Sequence, residues 1–234
     1  MSRVAIVLRK EFRELVAARS TVITGIVLAG YFGLTYAWRL GAQTVLPIAL
    51  SLGSLLFLLT TVLGVFLGYV FCSQVFLREK MDAVIETLLC SPVTLREIWL
   101  GKTLAITALA DLLAVASGVL CALVVSYHSG AVAIPNGATI FHVVLVLPMV
   151  VACLVGALGF AQLLLGMKET RIIGIVVFAA VFGALFGLGF VSSGGLAVTW
   201  LRVGLLGLGA AIVLAGLSYA SLRLSKERIV TTLS

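Results

Sequence analysis

The stretch REKMDAVIETLLCSPVTLREIWLGK, Arg78–Lys102, interrupts a chain that is otherwise nearly free of charge. It holds eight charged residues, four of them acidic, in a sequence of 234 with only 16 basic and 9 acidic side chains. Met81, Ile85, Leu88 and Leu89 recur at i, i+4, i+7 and i+8 and form one helical face. Asp82 and Glu86 lie on the opposite face near the start of that helix, where acids complement its dipole. Ser91-Pro92 stops it, because the residue before a proline is pushed out of the α region. Thr94-x-x-Glu97 has the form of a capping box and predicts a second helix. That helix runs through Leu95, Ile98 and Trp99 into the apolar segment beyond Lys102. So short a helix as the first is not stable alone. Its apolar face needs support from the bilayer surface or from a partner protein, and the residues by themselves leave both open.

Working outward, the flanks decide the class. Charged residues make up 11% of the chain and hydrophobic ones 62%, whereas soluble domains carry about 25% charged residues. A membrane-crossing helix needs about 20 consecutive apolar residues, and several such runs follow one another here. The expectation is an all-α polytopic membrane protein with six transmembrane helices, built as one transmembrane domain over residues 1–234. The spans fall at about Thr21–Trp38, Ile48–Leu77, Thr103–Tyr127, Ile140–Met167, Ile172–Val191 and Val203–Leu222. Pro148 should kink the fourth. Gly41–Pro47 and HSGAVAIPNGAT read as turns, KETR (Lys168–Arg171) as a tight polar turn, and SSGGLAVTWLR as a short re-entry before the sixth span.

Residues 1–20 are expected to be an interfacial helix rather than a signal peptide, since the basic flank is long and no small-residue cleavage site follows. Val4, Leu8, Phe12, Leu15 and Val16 fall on one face, with Arg9, Lys10, Arg13 and Glu14 on the other. The net charge of +7 is placed as membrane topology requires and does not indicate nucleic acid. Of the 16 basic residues, 14 fall in segments 1–20, 78–102, 168–171 and 223–234, leaving Arg39 and Arg202 for the other side. The positive-inside bias puts both termini, the 78–102 insert and the 223–234 tail in the cytoplasm. The location expected is therefore the cell's cytoplasmic membrane.

Within the spans, Asp111 stands out. It lies nine residues past Lys102, about 13.5 Å along a helix and close to the midplane. An acid there costs about 2.5–3.5 kcal/mol on insertion scales, so it should face the bundle interior or be protonated. Two readings stand: a role in the pathway or its gating, or a structural hydrogen bond to Thr107, Gln162 or a carbonyl. Gln74 and Gln162 suit helix–helix contacts, and Gly64-x-x-x-Gly68 and Gly183-x-x-x-Gly187 allow close packing, with a dimer seam as one use. Cys72, Cys90, Cys121 and Cys153 lack paired spacing, and His128 and His142 lie too far apart to argue for a metal. Gly101-Lys102-Thr103 tempts a phosphate-loop reading, but that motif needs a glycine where Arg96 stands. No ATPase site is expected in this chain.

The charged insert resembles the first intracellular loop of ATP-binding-cassette exporter permeases of the type-2 class. The residues that carry the likeness are Glu86, Leu88, Leu89, Ser91, Pro92, Arg96, Glu97, Ile98, Gly101 and Lys102, and the layout of a surface helix and six spans agrees. The resemblance implies a coupling helix docked on a separate ATPase subunit, with Asp82, Ile85, Glu86, Leu88 and Leu89 at the contact. Ser91, Pro92, Thr94, Arg96, Glu97 and Lys102 would then form the loop and the entry to the third span. It further implies a second permease chain, identical or related, with ATP and Mg bound by the ATPase partner. The segment 192–202 is short for the outer hairpin that family members often carry. A haem-export-like permease is a close variant of this reading. An ATP-independent secondary transporter or channel is the rival class; it would favour internal repeats or several intramembrane charges.

Overall fold

A computed structural model describes residues 3–41, 48–81, 94–130, 134–164, 172, 175–180, 183 and 198–222. The elements are α1 (Arg3–Ala17), α2 (Arg19–Gly41), α3 (Ile48–Met81), α4 (Leu95–Ser129), a short α5 (Gly137–Phe141), a π-helical turn (His142–Val146), α6 (Leu147–Leu164) and α7 (Trp200–Ser221). Residues 175–180 are helical as well, and no strand occurs among the described residues. Among the described residues, five stretches are long and apolar enough to cross a membrane: Arg19–Trp38, Leu52–Phe76, Leu95–Ser129, Gly137–Gln162 and Trp200–Ser221. The expected fifth span, 172–191, lies mostly outside the described residues. α7 begins at Trp200, so Arg202 sits in its first turn and not in the connecting segment.

The 35 residues of α4 extend about 52 Å at about 1.5 Å per residue, well beyond a core of about 30 Å. Its first turns therefore stand clear of the apolar layer. α4 is the central helix, in contact with α1, α2, α3 and α6. A single core joins them through residues such as Leu67 and Phe71 of α3, Ile106 and Leu109 of α4, and Val151 and Leu154 of α6. Gly25 and Gly33 of α2 face Leu113 and Ser117 of α4, so these two helices run in the same direction. Gly64 of α3 faces Ala114 and Gly118 of α4 faces Thr60, so α3 runs opposite to α4. Val146 meets Gly207 and Gly156 meets Leu217, which makes α6 and α7 parallel neighbours.

Polar side chains tie the helices where apolar packing has no direction. Ser117 Oγ donates to Ala29 O at 2.7 Å, Thr21 donates to Gln74 Oε1, and Thr61 Oγ1 lies 2.8 Å from His142 Nε2. Gln74 thus makes the helix–helix contact expected of it. Gly64 and Gly68 form a seam within the chain: a Cβ on either would come within 3.1 Å of Leu147 or Val151 of α6. That packing replaces the dimer seam considered for this motif. A Cβ on Gly183 would meet nothing within 4 Å among the described residues, and Gly187 is outside the described residues.

The irregularity expected from Pro148 is found one turn earlier. Leu147 N–H bonds to His142 O, a step of five residues, and His142–Val146 forms a π turn. Pro148 has no N–H for the carbonyl of Val144, and its ring would crowd that carbonyl in a regular helix. Widening the preceding turn accommodates both problems.

Candidate functional site

α4 starts within the charged insert, at Leu95, and its start is capped as predicted. Thr94 is extended (φ −76°, ψ 150°), and its hydroxyl accepts from Glu97 N–H at 3.3 Å. In return, Thr94 N–H and Thr94 Oγ1 donate to Glu97 Oε2 at 2.8 Å and 2.9 Å. Those bonds, the backbone one first, hold the Glu97 carboxyl below the usual carboxylate range. Arg96, on the opposite side, is exposed. Trp99, one turn on, buries its indole and donates Nε1–H to Gly156 O of α6 at 3.0 Å.

Lys102 is the surprise of this region. A lysine at the mouth of a span is expected to reach for headgroups, yet it is only 1% exposed. Its Nζ lies 2.9 Å from Oε1 of Glu11 on α1, and Glu11 is 4% exposed. The ring of Phe76 from α3 stands 5.9 Å away, within cation–π range. Lys10 approaches Glu11 at 3.9 Å and Glu14 at 3.5 Å from the solvent side. Beside the pair, Gly101 lets α1 come close: a Cβ there would fall 2.6 Å from Val7 Cγ1 and 3.2 Å from Leu8 N. The surface helix is thus seated on the first turns of α4, at the last residues of the charged insert.

This corrects the reading of α1. Arg9, Lys10, Arg13 and Glu14 are exposed as expected, but so is Val16, at 47%. The residues that α1 buries are Glu11 and Leu15. Glu11 was overlooked although a signal was present. Val4, Leu8, Glu11 and Leu15 share one face at i, i+4, i+7 and i+11. An acid inside an apolar stripe predicts a buried counter-ion.

Thr94, Glu97 and Lys102 therefore share the start of α4. Asp111 is separate, farther along the same helix. Its Oδ1 is buried and accepts no hydrogen bond among the described residues, so neither Thr107 nor Gln162 serves it as proposed. The hydroxyls of Thr103 and Thr107 are buried and unpartnered in the same sense. Asp82, Ile85, Glu86, Leu88, Leu89, Ser91 and Pro92 lie outside the described residues. His142 packs against the Phe57 ring at 4.2 Å, and His128 meets Trp38 edge-on at 6.0 Å.

Comparison with known proteins adds one match. A family profile described as ABC-2 family transporter protein covers residues 5–167, from α1 through α6 and across the whole charged insert. No curated protein and no solved structure matches at a significant level. The profile spans well over half of the chain and agrees with an all-helical bundle whose surface helix is seated beside the insert. The chain belongs to the ABC-2 transporter family, as a multi-pass membrane permease.

Proposed function

We propose that this chain is the membrane subunit of an ATP-driven exporter in the cytoplasmic membrane. It pairs with a second permease chain and takes its power from a separate ATPase subunit that binds ATP and Mg. The insert 78–102 is the docking element. Asp82, Ile85, Glu86, Leu88 and Leu89 meet the ATPase, and Ser91-Pro92 turns the chain back toward the membrane. The observation that carries this reading is the seating of α4. A helix capped at Thr94, pinned to α6 by Trp99 and to α1 by Lys102–Glu11 would carry a push at the insert into the bundle as a rigid rod. A loosely attached loop would dissipate it.

The direction of the helices supports six crossings. α6 and α7 run the same way, so the segment joining them has to recross the membrane. That arrangement, with the positive-inside count, supports both termini on the cytoplasmic face.

Co-purification tests the proposal. A soluble ATPase should purify with the intact chain, and Glu86→Arg with Leu89→Asp should abolish that association while the permease still inserts. An isolated chain that moves solute or conducts ions with no ATPase present would overturn it, as would an unaffected association in the double variant.

A further inference from the structure

Asp111, whose Oδ1 has no hydrogen-bond partner among the described residues, lies one helical turn before the first α4 residue of an apolar groove. Asp111, Val115, Gly118, Ala122 and Ser126 follow one another at i, i+4, i+7, i+11 and i+15, so they share one face of α4. From Val115 to Ser126 that face forms one wall of an open groove of about 360 Å³. Leu56 and Thr60 of α3 and Ile140 and Val144 of the α5–π segment supply the other walls. The eleven steps from Val115 to Ser126 make the groove about 16 Å long at about 1.5 Å per residue. Asp111 lies one helical turn beyond it on the cytoplasmic side.

The polar end is chemically unusual. Asp111 Oδ1, Thr107 Oγ1 and Thr103 Oγ1 are all buried and all without a hydrogen-bond partner among the described residues. None of the ion pairs described reaches Asp111. Buried polar atoms are as a rule satisfied, and a carboxylate in an apolar layer needs a positive partner or a proton. A long apolar wall leading to one unneutralised acid matches a molecule with an apolar tail and a cationic head.

We propose that this groove and Asp111 form a binding site for cationic amphiphiles, the tail lying along Val115–Ser126 and the charged nitrogen at Asp111. The proposal rests on the transporter reading above, because it names the class of cargo that the pathway accepts. Zwitterionic bilayer lipid and a second copy of the chain are the competing occupants. Charge complementarity favours the cation, since lipid tails and an apolar helix face leave Asp111 uncompensated.

The experiment uses the complete transporter, permease with its ATPase, in nanodiscs of phosphatidylcholine. Saturable binding and ATPase stimulation are measured for dodecyltrimethylammonium and for the neutral dodecyl maltoside, both below micelle formation. The cation should bind the parent protein at least about tenfold more tightly than the maltoside, the margin expected of one charge-assisted contact. Asp111→Asn should remove that preference and leave maltoside binding within about twofold, whereas Asp111→Glu should retain it. Val119→Trp, which fills the groove, should weaken both ligands. Equal binding of the two probes to the parent, a preference that survives Asp111→Asn, or no saturable binding because lipid or the second chain fills the groove would each overturn the inference. If the ATPase assembles normally while charge preference is absent, the cargo site fails and the transporter reading stands. If no ATPase assembles, the transporter reading itself fails.

Discussion

Removing one half of the Lys102–Glu11 pair should destabilise the protein far more than removing both. The partners are 2.9 Å apart with side-chain exposures of 2% and 5%. At an effective dielectric of about 20, that separation corresponds to about 6 kcal/mol of attraction. Taking two ions out of water costs several kcal/mol each, so the intact pair contributes little net stability. Loss of one partner leaves the other charge buried without its nearest counter-ion, at up to about 3–5 kcal/mol. Lys102→Met and Glu11→Leu should each fall in that range, and the double variant should recover most of the loss. Cys72 and Cys121 are buried, so a thiol-reactive fluorophore can follow thermal unfolding in detergent without an introduced cysteine. Each single variant should lower the midpoint by about 6–20 °C, taking about 2–4 °C per kcal/mol for a chain of this length. Singles that unfold within about 2 °C of the parent, or a double variant no better than the worse single, would refute the view that this pair is buried and coupled.

Three further expectations follow from the same region and its neighbours. Gly101→Leu should displace α1, because its side chain would enter the space held by Val7 and Leu8; accelerated proteolysis within Arg3–Ala17, with the spans still protected, is the expected readout. The Thr94–Glu97 cap should respond to acid in a defined sense. The carboxyl is depressed in the folded state, so its contribution is complete above the ordinary glutamate range and is lost as pH falls through the folded value. Amide chemical shifts of Thr94 and Glu97 should report that loss, and Thr94→Val should move the Glu97 titration upward; an unmoved titration would exclude the Thr94 hydroxyl as one of its causes. Thr61→Val should cost about 1–3 kcal/mol by leaving a buried His142 nitrogen unsatisfied, read as a lower midpoint in the same thiol assay. Thr61→Ser should restore it.

The five apolar helices of the described residues and the Thr94–Glu97 cap were legible in the residues, because hydropathy and capping act over a few neighbouring positions. Which faces of the spans point inward was not legible. In a bundle surrounded by lipid, the inner and outer faces are both apolar, so the periodicity that marks a buried face in water is absent. Leu109 of α4 is buried and Leu112 is 60% exposed, although both are leucines three positions apart. The role of Gly64 and Gly68 as an internal seam with α6 was hidden for the same reason.

The amino-acid order alone therefore determined that this chain lives in a membrane, which of the described helices are long and apolar enough to cross it, and which segment breaks the pattern. Tertiary structure decided the partners: Lys102 with Glu11, Trp99 with Gly156, Thr61 with His142, and Asp111 with none among the described residues. The reason is physical. Insertion into lipid depends on the composition of each segment, whereas pairing depends on packing between residues that lie 57 to 91 positions apart in these contacts, and no local signal carries that distance.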